Sequence, residues 1–126
     1  MITGTYRLSG LWPPMAEAVR YLLAWCDYLG LSVNVSSGYR SFAEQRALYS
    51  QGRTPQEVAN HVKKLGQGGA VTDADAGQSA HNYGLAVDIE SEQLDQVMSL
   101  ARQIGFGTVS WDPDHLEWPG WRSLLQ

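Results

Sequence analysis

The chain reads as an α+β domain in which a small, mostly antiparallel sheet is flanked by helices. Three observations predict this. Helical and strand patterns come in the order helix, strand, two helices, strand, helix, strands, partly segregated instead of alternating as a parallel βα repeat does. Hydrophobic residues make up 44% and charged residues 17% of 126 positions, which suits one core and leaves little for a second. Thirteen glycines punctuate short elements with turns. Residues 1–126 are therefore expected to form a single domain.

Each element has its own signal. Pro13 and Pro14 open a segment in which Met15, Val19, Leu22, Leu23 and Cys26 recur at helical spacing up to Leu29, with Gly30 as the stop. "LSVNVSS" sets Leu31, Val33 and Val35 against polar neighbours, the period-2 pattern of a half-buried strand ending at Gly38. "SFAE" is a capping box, with Ser41 as N-cap and Glu44 at N3, and it starts a helix through "EQRALYSQG". "TPQE" repeats the device with Thr54, Pro55 and Glu57, and predicts a short helix through "VANHVKKLG". His61 in that helix reads as a solvated surface residue.

"GQGGAVTDADAGQS" has too little apolar content to pack by itself and reads as a mobile surface loop. In "GLAVDIE", Leu85, Val87 and Ile89 alternate with Ala86, Asp88 and Glu90, which predicts a strand. "SEQLDQVMSLARQIG" predicts a helix that buries Leu94, Val97, Met98, Ala101 and Ile104 and closes at Gly105. "FGTVSWDPDHLEWPGW" reads as two short strands around a Pro-containing turn.

Charge excludes some partners. A formal net charge of −4 leaves no broad basic surface for phosphates, so nucleic acid is not an expected partner. No segment approaches the length of a membrane span, so stable membrane association is not expected either. "MITGTYRLSGLWPPM" lacks the basic start and long apolar run of a secretory signal, and the chain is expected to fold in a cytoplasm. The single Cys26 rules out an internal disulfide and a thiolate-rich metal site; it reads as a small core residue.

The stretch "SAHNYGLAVD" carries the chemistry. Asp88 points away from the face of Val87 and Ile89, and Gly84 lets the preceding loop turn back so that His81 reaches the same side. In "DHLEW", His115 alternates with Leu116 and shares a face with Glu117. Two imidazoles and one carboxylate suit Zn²⁺, with the fourth position left to water as in catalytic sites. Taken singly, each residue has an ordinary reading: His81 in a surface loop, Asp88 capping a turn or pairing with an arginine, and His115 packed against Glu117 or Asp112.

The spacing Ser-x-His-x-x-Gly-x-Ala-x-Asp in Ser79–Asp88 resembles the signature of the LAS zinc metallopeptidases, the VanY-like group of D-alanyl-D-alanine carboxypeptidases, D-Ala-D-Ala dipeptidases and phage L-alanyl-D-glutamate endolysins. "SSGYRSFAEQRALYSQGRT" is similar to the upstream block of that family and "DPDHLEW" to its carboxyl-terminal block, so the resemblance runs from about Ser36 to Trp118. It implies an α+β metallopeptidase fold with one Zn²⁺ on the sheet, held by His81, Asp88 and His115. It also implies that Asp112 is the general base and that Arg40 meets the substrate and its developing oxyanion.

Ser79 is assigned to substrate orientation and Tyr83 to the substrate groove, whereas Trp118 faces inward. Glu117 has two readings, one in which it holds the second nitrogen of a zinc histidine and one in which it is only structural. The chain departs from the usual endolysin pattern at Asp114, where a proline is common, and at Leu116, where an aromatic is usual. Asp114 beside Asp112 introduces like-charge repulsion at the base.

The expected function is hydrolysis of peptidoglycan stem peptides by a monomer, with the L-alanyl–D-glutamate bond as the target. Hydrolysis of terminal D-alanine and an inactive cell-wall-binding module are the two alternatives. The endolysin resemblance implies storage in a host cytoplasm until release to the wall, or carriage on a virion.

Overall fold

The computed structural model describes residues 1–126. Five strands, β1 (Ile2–Thr3), β2 (Val33–Ser37), β3 (Ala86–Glu90), β4 (Gly107–Val109) and β5 (Asp112–Glu117), form one sheet in the order β1-β2-β3-β5-β4. Four helices, α1 (Pro13–Tyr28), α2 (Phe42–Ser50), α3 (Pro55–Ala59) and α4 (Leu94–Ile104), accompany it. Three of the four strand pairings are antiparallel, and β1 runs parallel to β2, so the sheet is mixed. The two-residue β1 is too short to show any periodicity in sequence.

The core lies on one face of the sheet. Met15, Val19, Leu22 and Cys26 of α1 and Val97 and Ala101 of α4 are fully buried against Val35, Val87, Ile89 and Leu116. This is the face that strand alternation predicts, and it leaves the side chains of Asp88, His115 and Glu117 on the other. Leu116, where the sequence departs from the endolysin pattern, is a core residue.

Local signals account for the helix starts. Ser41 accepts from the Glu44 N–H while the Glu44 carboxylate accepts from the Ser41 N–H, and Thr54 and Glu57 do the same. Helix α3 ends at Ala59, earlier than expected, and His61 takes a positive φ of 52° that no helix continues through. His61 is exposed, as expected.

Pro113 lies inside β5 and not in the turn before it. The strand tolerates it because the ladder with β3 runs over His115, Leu116 and Glu117 and needs no N–H at position 113. The glycine-rich segment is anchored by its acids. The Asp73 carboxylate accepts from the Lys64 and Leu65 N–H groups and sits 2.6 Å from the buried Arg53 guanidinium. Asp75 is 5% exposed and pairs with Arg46.

Candidate metal centre and cleft

Three strands bring the site together by register. Ser37 of β2 lies opposite Asp88 of β3, and Asp88 lies opposite His115 of β5, so the three form a row across the sheet. A bulge makes this possible. Val35 pairs with Ile89 but Ser37, not Ser36, pairs with Asp88, so one extra residue turns Ser37 toward the carboxylate.

His81 arrives from a separate loop. Ser79 caps the short 3₁₀ turn Ala80–Tyr83, its hydroxyl accepting from the His81 N–H. Gly84 ends the turn at φ 69°, and a Cβ there would lie 2.6 Å from the Trp12 nitrogen. Only glycine fits both the left-handed backbone and that approach.

The donor atoms converge on the Asp88 carboxylate. Its Oδ1 is 3.3 Å from His81 Nε2 and 3.2 Å from His115 Nδ1. Adjacent ligands of a tetrahedral zinc with bonds of 2.0–2.1 Å stand about 3.3 Å apart, so the spacing fits that ion. The tautomers fit as well. His81 Nδ1 lies 2.7 Å from the Gly38 carbonyl and His115 Nε2 lies 2.8 Å from Glu117 Oε1. Each acceptor can hold the proton of the outward nitrogen, so that the inward nitrogen offers a metal its lone pair once any proton on it is displaced.

Electrostatics in the metal-free site follow from this packing. Burial pushes the Asp88 carboxyl up, but hydrogen bonds and charge from His115 and His81 outweigh it and hold the group well below the usual carboxylate range. Burial pulls the His115 imidazole down, yet the Asp88 and Glu117 carboxylates together lift it to about 9. The repulsion expected between neighbouring acids is felt at Asp114, where burial, Asp112 and Asp88 raise the carboxyl to about 6.

Asp112 stands at the edge of the cradle, with Oδ2 3.9 Å from His115 Nδ1 and a half-exposed side chain. Arg40 donates to Asp88 Oδ2 at 3.0 Å, to Ser37 Oγ at 3.1 Å and to Gln45 Oε1 at 3.2 Å, so its fork grips the outer oxygen of the Asp88 carboxylate. That anion offsets the unfavourable place of a cation at the start of α2.

Ser79, Arg40 and Asp112 line a cleft of about 400 Å³ over the cradle. Tyr83 lies outside that lining. Its hydroxyl donates to the Gly77 carbonyl, and its ring packs on Phe42 and Trp121. Trp118 is half-buried against Trp12, as its inward reading requires.

Sequence reasoning assigned no role to Gln45 or Arg122. Gln45 is 1% exposed, and its place in "EQRALYSQG", within the stretch similar to the family's upstream block, is the one signal that marks it. Arg122 lies beyond every motif, and nothing local marks it.

A mixed sheet with α1 and α4 packed on one face and, on the other, a cradle of two histidines and one aspartate able to hold a metal ion defines an α+β fold of the metallopeptidase type. The chain belongs to the VanY family, D-alanyl-D-alanine carboxypeptidase, which it matches over residues 9–116. It is 34% identical over 107 residues to the peptidoglycan L-alanyl-D-glutamate endopeptidase CwlK of Bacillus subtilis (strain 168), covering 85% of this chain and 51% of CwlK. The chain thus spans about half the length of that relative.

Two solved structures share the fold. A mutant of the D,D-pentapeptidase VanY from the VanB-type resistance cassette, in complex with Zn(II), superposes with TM-score 0.59 at 20% identity, covering 91% of this chain and 76% of that one. The L-Ala D-Glu endopeptidase ChiX of Serratia marcescens does so with TM-score 0.59 at 19% identity, covering 98% and 90%. No helix is long and apolar enough to cross a membrane.

Proposed function

We propose that this protein is a zinc-dependent peptidase that hydrolyses the L-alanyl–D-glutamate bond of peptidoglycan stem peptides. The convergence of His81 Nε2, Asp88 Oδ1 and His115 Nδ1, with Asp112 beside them, carries the proposal. The 34% identity to CwlK supports the choice of bond.

In this reading His81, Asp88 and His115 would hold one Zn²⁺, and a bound zinc would supply Lewis-acid chemistry there. Asp112 accepts the proton of the attacking water and returns it to the departing amine nitrogen. Arg40 keeps Asp88 oriented through Oδ2 and sets positive charge in the cleft, where it opposes the negative charge that grows on the carbonyl oxygen. Ser79 borders the cleft and positions the substrate.

The test is zinc content together with amine release from purified peptidoglycan, for the wild type and Asp112→Ala. Zinc retained in both and amine release lost in the variant is the expected result. Zinc bound by both with no amine released by either overturns the peptidase reading in favour of a wall-binding module. Release of terminal D-alanine alone supports the second reading, a D,D-carboxypeptidase, which the family match favours. The motif resemblance to endolysins supports use as a phage lysis protein held in the host cytoplasm. Fractionation of producing cells tests that location.

A further inference from the structure

Asp112 begins β5 and Arg40 lies just after β2, and these strands flank β3 on opposite sides. The cleft over the cradle therefore has a carboxylate at one edge and a guanidinium at the other. Beyond Arg40 lies a second cavity of about 440 Å³, divided from the cleft by Arg40 and Leu48, which line both. Its walls come from the 3₁₀ turn Thr5–Leu8, the end of β2 and α2.

The charged groups of this cavity are already occupied. Arg40 is held by Asp88, Arg7 donates to the Val35 carbonyl, and Glu44 caps α2. Two aromatic rings and two hydroxyls remain. Tyr6 is 71% exposed and Tyr39 is 48% exposed, yet both are seated. The Arg7 guanidinium carbon lies 4.5 Å over the Tyr6 ring, and Gly10 makes room for Tyr39, because a Cβ there would come within 2.7 Å of the tyrosine Cβ. The Ser9 and Ser36 hydroxyls bond no protein group, whereas Ser37 is taken by Arg40.

Open aromatic faces beside free hydroxyls and satisfied charges suit a neutral, hydroxylated ring. The C–H face of a sugar stacks on the negative face of an aromatic, its hydroxyls exchange hydrogen bonds with serine, and a rigid tyrosine loses little entropy on contact. Chain direction agrees. In the endopeptidase reading Asp112 returns a proton to the departing amine, so the leaving peptide lies at that edge and the acyl half of the substrate passes over Arg40. The acyl half of an L-alanyl–D-glutamate bond is an alanine joined through a lactyl group to an N-acetylated amino sugar, and two such units span at most about 7 Å. Resting on that reading, we propose that the cavity of Tyr6 and Tyr39 binds the sugar that bears the stem peptide, so that glycan-linked stems are selected over free ones.

The probes lack the L-alanyl–D-glutamate bond: N-acetylmuramyl-L-alanine, and O-methyl-D-lactoyl-L-alanine as the same acyl half without the sugar. Each is titrated calorimetrically into the zinc-loaded protein. The wild type is expected to bind the muramyl ligand about tenfold tighter. Tyr6→Ala/Tyr39→Ala is expected to abolish that preference and Tyr6→Phe/Tyr39→Phe to keep it, because the ring face makes the contact. Melting temperatures check that both variants stay folded.

Equal binding of the two ligands by the wild type overturns the proposal. So does a preference lost equally in the phenylalanine variant, or one that survives in the alanine variant, which would put the sugar on other exposed aromatics such as Tyr21 and Trp25 of α1. The readout is binding and not hydrolysis, so these failures leave the peptidase reading standing. Absence of amine release with the sugar preference intact sinks that reading alone.

Discussion

Asp88 and His115 face each other directly across adjacent antiparallel strands, with Asp88 Oδ1 3.2 Å from His115 Nδ1. The far nitrogen of His115 is bound in turn to Glu117, two residues along the same strand face. One strand thus provides both a histidine of the cradle and the acceptor that orients it.

Glu117→Gln removes the charge that fixes the His115 tautomer. Zinc affinity is expected to fall about 10–100-fold while the fold persists. Competition against a calibrated chelator measures this, and an unchanged affinity would mean that Asp88 alone orients the ring.

Zinc must displace a proton from His115. The imidazole is held at about 9 without metal, so it is charged at neutral pH, and binding there is expected to release about one proton. Affinity should rise about tenfold per pH unit up to pH about 9 and then level off. Calorimetry in buffers of different ionisation enthalpy counts the proton, and a buffer-independent heat contradicts the assignment. The sign for metal-free stability is opposite. A raised folded-state pKa contributes fully below the ordinary value of 6.5, and that contribution is lost as pH rises through about 9.

Arg40→Lys keeps the charge and loses the fork. A single ammonium cannot reproduce the three bonds to Asp88, Ser37 and Gln45, so peptide hydrolysis is expected to fall at least about tenfold. The loss should appear mainly in kcat, with zinc retained. Activity near wild type would show that charge alone suffices at this position.

Gly84→Ala forces a side chain into a left-handed backbone and into the Trp12 main chain. A loss of about 1–3 kcal/mol is expected, read from the urea midpoint. Because His81 belongs to that turn, zinc affinity should fall with it. A fully stable variant would show that the turn can relax without cost.

Local patterns in the sequence are legible where their causes are local. The apolar spacing of α1, the two capping boxes at Ser41 and Thr54, and the alternation of Val87 and Ile89 around Asp88 all arise within a few residues. The same alternation around His115 puts Glu117 on its face, which is how that pair could be anticipated. Signals fail where the neighbour is distant. The early end of α3 at Ala59 and the placing of Pro113 within β5 depend on what each segment packs or pairs against.

By itself, then, the sequence determined the main element types, the core face and which two histidines and aspartate form the cradle, because side-chain period and motif spacing are properties of one segment. Tertiary structure decided the rest. The bulge at Ser36 that aligns Ser37, Asp88 and His115, the grip of Arg40 on Asp88, the position of Tyr83 behind the cleft and the place of Arg122 in its wall all join segments far apart in the chain. The physical reason is register: pairing and packing across the core choose which residues meet, and one segment read alone carries no record of its partner.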